Sequence, residues 1–303
     1  MIIEMARTFS GRIIPSAYRQ YLKLSGLVSD NVIYKPFQVV KVPVELIQES
    51  ISPYPEYYLD WLEKDRLVET PAVETVRKQE ILWEEDIRFA GRITGGDWDL
   101  ARQRVEYLIS YIAFKERFLE GKKWEETLYY QFLKRKVRTA RENNLELPFP
   151  DGFDHSRSSE YYFDYYLGKL KYWEELYYQI KENGYKSQAA GNTYPRSLHS
   201  RKASYEGWPE NEVEIAVARD GELLFVDGRH RLIIAKLLEI EEIPVIVNLW
   251  HREFIERVKS ETGQKRITPA EEIDWLFENQ GKQEFEILNS HLQINVTYIK
   301  TLI

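Results

Sequence analysis

The chain of 303 residues is long enough for one large or two ordinary domains, and 43% hydrophobic residues, with 14% aromatic, are ample for a packed core. The formal net charge of -7 argues against a protein that binds duplex DNA through a broad basic surface. The absence of cysteine excludes disulfides, thiolate metal sites and cysteine nucleophiles.

The sequence also carries no sign of membrane insertion. No apolar run approaches the roughly 18 residues that a membrane span needs. The first 20 residues are interrupted by Glu4, Arg7 and Arg12, which is not typical of a signal peptide. We therefore expect a cytoplasmic protein without a membrane span.

Residues 1–147 are expected to form a helix-rich region with some β-structure. The alternating segment Phe37–Val44 predicts a strand that Pro43 ends or confines to an edge. The segment Gly91–Asp99 (GRITGGDWD) lacks the Lys-Ser/Thr pair of a phosphate-binding loop, so it is interpreted as a turn whose Asp97 or Asp99 caps a helix.

Helical periodicity dominates the next part of the chain. It predicts helices over Leu100–Glu120 and about Trp124–Glu142, and then a boundary at the linker Pro148–Gly152. A further helix is predicted over about Ser158–Asn183, whose many tyrosines indicate core or helix-helix contacts. The linker divides the chain into an N-terminal region, 1–147, and a second domain, 153–303.

The segment Tyr185–Glu212 has no periodic pattern and is longer than connections in compact domains usually are. Two interpretations stay open: a lid that folds over an anionic ligand, or a disordered surface loop. The candidate lid residues are basic, namely Arg196, His199, Arg201 and Lys202.

The segment Val213–Asn248 is the strongest candidate for a functional site. Two alternating runs flank Arg219-Asp220-Gly221 and predict a hairpin. A break at Asp227-Gly228 precedes a predicted helix over Arg229–Glu239, and Ile243–Val247 reads as a buried strand.

This order places the start of a helix directly after a glycine turn. The free N-H groups at a helix start favour anions, and Arg229, His230 and Arg231 add donors there. Asp227 is the only acid beside them in sequence, and it could orient an arginine, hold a metal bound to phosphate, or accept a proton. The alternative is structural: Asp227 caps the helix and Arg231 pairs with a surface carboxylate.

The segments VEIAV, RDGELLFVDGRHRLIIAKLL and EIPVIV, with Glu182–Tyr185 before them, resemble the nucleotide-binding core of the ParB/sulfiredoxin superfamily. The similarity covers about residues 172–250. It implies an α+β protein, with a helix-rich N-terminal region followed by a ParB/sulfiredoxin-like α/β core.

The same resemblance implies roles for individual residues. The turn of Gly228, Arg229, His230 and Arg231 would bind a polyphosphate, while Asp227 and His230 would be catalytic. By analogy, the residues after the preceding helix would also approach the nucleotide, namely Lys186, Ser187 and Gln188. The implied cofactors are a nucleoside triphosphate, ATP or CTP, and Mg²⁺, with no metal held by the protein alone.

Two departures from the superfamily narrow the function. Sulfiredoxin chemistry needs a cysteine, so sulfinic acid repair is excluded. Thr268-Pro269-Ala270-Glu271 predicts a capping box that opens a helix to about Asn279, and its acidic residues are unsuited to a DNA recognition helix. The last 20 residues are expected to form a terminal strand or a dimer contact.

The leading function hypothesis is therefore a nucleotide-dependent phosphotransferase, or kinase, that acts on a small or glycan-like hydroxyl substrate. The alternative is a non-catalytic nucleotide switch or a DNA-associated ParB-like regulator. The expected partners are a nucleotide and a small-molecule substrate, with nucleic acid disfavoured and a homodimer left open.

Overall fold

The computed structural model describes residues 30, 32–51, 91–100, 102–142, 156–187, 212–265 and 267–277. Within these ranges the protein is an α+β structure with one mixed sheet and helices packed against it, so the expected fold class is confirmed. None of the helices in these ranges is both long and apolar enough to cross a membrane.

Seven strands among the described residues form the sheet. Four lie in the N-terminal half: β1 (Val40–Pro43), β2 (Glu49–Ile51), β3 (Arg92–Thr94) and β4 (Arg102–Arg104). Three follow in the C-terminal half: β5 (Val213–Val217), β6 (Leu223–Asp227) and β7 (Glu242–His251). The strand predicted near Pro43 is confirmed, and Pro43 ends it.

Strand β7 pairs with three other strands of the sheet. It pairs in parallel with β5 on one side, and on the other side with antiparallel β1 along its first half and parallel β3 along its second half. The order is β1-β7-β5-β6-β2-β4. The sequence predicts two units divided at Pro148–Gly152, whereas strands from both sides of that segment pair in this one sheet. The linker itself lies outside the described residues.

The hairpin β5-β6 forms as predicted. The two strands are antiparallel, and the turn is closed by the N-H of Gly221, which donates to the carbonyl of Ala218 at 3.0 Å. A register shift between Glu214 and Ile215 marks a bulge close to the end of β6. Bulges of this kind are common where a strand must re-aim a side chain beside a site.

Six helices are described: α1 (Ile109–Phe118), α2 (Leu128–Glu142), α3 (Ser159–Asn183), α4 (Arg229–Leu237), α5 (Arg252–Thr262) and α6 over residues 269–277. The capping box predicted for α6 is confirmed, because Thr268 N donates to Glu271 at 2.7 Å and Glu271 N donates to the Thr268 hydroxyl at 3.3 Å. Helix α3 is capped by Ser158, whose hydroxyl accepts from the N-H of Tyr161.

Helix α4 lies between the sheet and the helical layer. Leu232 and Ala235 belong to the core on the sheet, while Ile233 and Ile234 belong to the core formed with α1 and α3. All four side chains are fully buried. Burial of a Leu or Ile contributes roughly 1.5–3 kcal/mol relative to exposure, so α4 is held firmly on both of its apolar faces.

The start of the helix predicted over Leu100–Glu120 is wrong. Residues 102–104 form β4, which pairs with β2, and a short 3-10 turn follows over Val105–Tyr107 before α1 begins. Asp99 does not cap a helix, because its carboxylate binds the side chain of Arg219. Tertiary pairing therefore overrides the local helical pattern in this segment.

Candidate functional site

The site is built where β6 ends and α4 begins. Gly228 adopts φ 88°, and a Cβ at this position would lie 3.0 Å from the Cα of Val213 in β5. Only glycine combines this left-handed backbone with so close an approach to the neighbouring strand. Asp227 is exposed at the strand end, and its Oδ1 accepts the N-H of Gly228 at 2.6 Å. The turn therefore fixes Asp227 beside the first helical residues.

Arg231 points back toward the sheet and meets a buried acid. Its Nη1 lies 3.6 Å from Oε2 of Glu212, whose side chain is fully buried. Ser187 donates a hydrogen bond to the other oxygen of Glu212. Along the chain Asp227 is the only acid beside the basic turn, and the structure adds a second acid that the sequence did not indicate, because Glu212 precedes β5 and lies against Arg231 in space.

His230 is held between aromatic rings of the helical layer. Its ring centroid lies 4.0 Å from that of Trp173 in α3 and 5.9 Å from that of Phe114 in α1, with the Phe114 ring nearly parallel. Burial and the positive charges of Arg229 and Lys169 hold the pKa of His230 well below its usual value. His230 is therefore a neutral imidazole at neutral pH.

Three cations and one carboxylate change the pKa of His230. Arg229, Lys169 and Arg231 lower its pKa, while Asp227 acts in the opposite direction. Lys169 lies on α3 and is itself partly buried, and burial together with the charge of Arg229 lowers its pKa. The arrangement concentrates positive charge at the N-terminal end of α4, where the helix dipole adds to it.

The structure brings together six of the twelve residues expected at the site. Asp227, Gly228, Arg229, His230 and Arg231 form the turn itself, and Ser187 reaches it through Glu212. Lys186 is exposed in the segment that follows α3. The remaining expected residues lie outside the described part of the chain: Gln188, Arg196, His199, Arg201 and Lys202. The last 20 residues also lie outside it.

Sequence reasoning missed Lys169, Glu212, Trp173 and Phe114 as parts of this site. They come from α1, from α3 and from the residue before β5, which lie far from the turn along the chain. One signal was available, since Glu212 directly precedes a strand in which every residue is buried. An acid in such a position must find a partner when it is buried.

A second polar cluster joins the segment Gly91–Asp99 to the hairpin. Asp99 is fully buried and accepts from Arg219 Nε and Nη2 at 2.7 to 3.1 Å. Burial acts to raise the pKa of Asp99, but the hydrogen bonds from Arg219 outweigh it and place the pKa below its usual value. The cluster is an ion pair between the fully buried Asp99 and the partly exposed Arg219, and it holds the hairpin against this segment.

His251 beside Asp99 has no free nitrogen for chemistry. Its Nε2 lies 2.9 Å from the carbonyl oxygen of Gly96, and its Nδ1 accepts from the N-H of Glu253 at 3.3 Å. A carbonyl oxygen only accepts, so Nε2 carries a proton that points to Gly96. This histidine is structural, because both ring nitrogens are used to anchor the start of α5.

The described residues offer no group of three or more acidic, histidine or cysteine side chains that could hold a metal ion. Asp227 remains as a single exposed carboxylate at the turn. Mg²⁺ commonly binds through one or two carboxylates together with the phosphates of a substrate. Within the described residues, Asp227 is therefore a carboxylate at the turn that could coordinate Mg²⁺ together with phosphates.

Comparison of this chain with protein-family models, with curated proteins and with solved structures finds no match.

Proposed function

We propose that the protein binds a nucleoside triphosphate at the start of α4 and transfers a phosphoryl group to a hydroxyl of a small or glycan-like substrate. The convergence of Lys169, Arg229 and Arg231 around His230 carries this proposal. Several cations beside the N-terminal end of a helix form an arrangement suited to phosphate. The resemblance of residues 172–250 to the ParB/sulfiredoxin superfamily supports the same ligand class.

Each residue has a chemical task in this proposal. The backbone at Gly228 lets the phosphates approach the helix start, and Arg229 and Arg231 compensate their charge. The neutral His230 offers the phosphates one N-H donor rather than a positive charge. Mg²⁺, when bound with the nucleotide, supplies further charge neutralisation.

Asp227 is the candidate base because it is exposed at the strand end and lies next to the cations. Its carboxylate accepts the proton of the substrate hydroxyl while the hydroxyl oxygen forms a bond to the terminal phosphorus. The bond from that phosphorus to the bridging oxygen breaks, and a nucleoside diphosphate leaves.

Binding is tested by thermal denaturation with ATP or CTP and Mg²⁺. The wild-type melting temperature should rise, because a ligand at about 100 times its dissociation constant stabilises by roughly 2.7 kcal/mol. Arg229→Met should abolish most of the rise. Arg138→Met is the matched control, since Arg138 is an exposed arginine on α2. The proposal fails when no nucleotide shifts the wild-type protein, or when both variants lose the shift equally.

Catalysis is tested separately with Asp227→Asn. This variant should keep nucleotide binding and lose production of nucleoside diphosphate in the presence of candidate hydroxyl compounds. A wild-type protein that binds nucleotide without any turnover would instead be a nucleotide switch, and retention of binding to DNA at moderate salt would favour a DNA-associated regulator.

A further inference from the structure

Lys169 occupies an unusual position on α3. Its Nζ lies 6.0 Å from the centre of the Trp173 ring, one helical turn further along the same face. The Trp173 ring in turn lies 4.0 Å from the ring of His230 in α4. Lys169 therefore lies beside the ring that contacts α4, close enough for the charge of Arg229 to act on it.

The described surroundings of Lys169 disfavour its charged form. The side chain is partly buried, and burial together with the positive charge of Arg229 lowers the pKa of Lys169. Within the described residues no carboxylate lies within salt-bridge distance of its Nζ. Removing a charge from water without a partner costs free energy, and a second cation nearby adds to that cost.

The contact with Trp173 does not offset this cost. A cation-aromatic contact weakens with distance, and 6.0 Å from Nζ to the ring centre is the outer limit for it. A methionine of similar length would keep the packing and avoid both desolvation of a charge and repulsion by Arg229. A lysine at this position is therefore unfavourable for the ligand-free fold.

We propose that Lys169 is a direct ligand of the anion that binds at the start of α4, so that the phosphates are bound between α3 and α4. The inference rests on the proposed function, since a polyphosphate supplies the negative charge that Lys169 lacks among the described residues. Sites that bind charged ligands are commonly destabilised in this way, because their like charges are brought together before the ligand arrives.

The test compares Lys169→Met with Lys171→Met. Lys171 lies on the same helix and is exposed, so it is the matched control. Calorimetric titration with ATP and Mg²⁺, and with inorganic tripolyphosphate, gives the affinities. Lys169→Met should weaken both by at least about tenfold, the size expected for a lost hydrogen bond to a charged group. Lys171→Met should leave both unchanged, and Lys169→Arg should retain most of the affinity.

A second readout separates a ligand from a merely structural residue. The ligand-free Lys169→Met protein should melt at the same temperature as the wild type or higher, because an unfavourable charge is removed, whereas loss of a structural contact would lower it. A lower melting temperature with unchanged affinity overturns the inference. Failure of the wild-type protein to bind either anion overturns the proposed function as well, whereas unchanged affinity of Lys169→Met beside a binding wild type overturns this inference alone.

Discussion

Replacement of Glu272 by glutamine should stabilise the protein at alkaline pH and make its stability less dependent on pH. Glu272 lies on α6 with its side chain fully buried, and neither carboxyl oxygen has a hydrogen-bond partner among the described residues. Burial raises the pKa of Glu272 to about 8, against the opposing charge of Lys259. The carboxyl group is therefore largely protonated in the folded protein at neutral pH.

The size of the stability change follows from the difference between the pKa of Glu272 in the unfolded state and its pKa in the folded state. The ordinary pKa is 4.5 and the folded value is about 8, which corresponds to roughly 5 kcal/mol at most. A raised pKa means that the folded state binds the proton more tightly than the unfolded state does. The stabilising contribution is thus complete below pH 4.5 and is progressively lost as the pH rises to about 8.

The assay is urea denaturation of the wild type and of Glu272→Gln between about pH 5 and about pH 9. The advantage of the variant should grow across this range, because glutamine has no proton to lose. Asp274→Asn is the control, since Asp274 is exposed on the same helix. An equal stability difference between wild type and Glu272→Gln at every pH would refute the reasoning.

Two further predictions concern the supports of the site. Asp99→Asn should lower the free energy of unfolding by about 1–3 kcal/mol, because it weakens the charged hydrogen bonds that Arg219 makes to a fully buried carboxylate, whereas Asp97→Asn at the exposed pair should cost less than about 1 kcal/mol. Equal losses in urea denaturation would contradict this. Gly228→Ala should cost about 1–2 kcal/mol, because alanine is strained at φ 88° and its Cβ would crowd Val213. An unchanged melting temperature would show that the turn relaxes freely.

The local pattern predicts the β5-β6 hairpin, α4 and the capping box of α6 because each depends on neighbours in sequence. The hairpin follows from alternation around Arg219–Gly221, and the capping box from Thr268 and Glu271. The same reasoning fails at residues 102–104, where a helical pattern is replaced by a strand. Pairing with β2 decides that segment, and nothing near it in sequence indicates the partner.

The charge of α6 is likewise only partly predictable from the sequence. The sequence presents a row of acids that would repel phosphates, and Glu271 and Asp274 are indeed exposed. Glu272, however, faces the core and holds its proton at neutral pH. Composition gives the number of acids on a helix, while burial decides how many of them carry a charge.

By itself the sequence determined the turn from Asp227 to Arg231, since a glycine with positive φ between a strand and a helix start depends only on local backbone chemistry. Only the tertiary structure decided what surrounds that turn. Glu212 binds Arg231, and Trp173 on α3 contacts His230 with Lys169 beside it. These contacts depend on how α4 packs between the sheet and the helical layer, because burial and long-range pairing set both the partners and the protonation of His230.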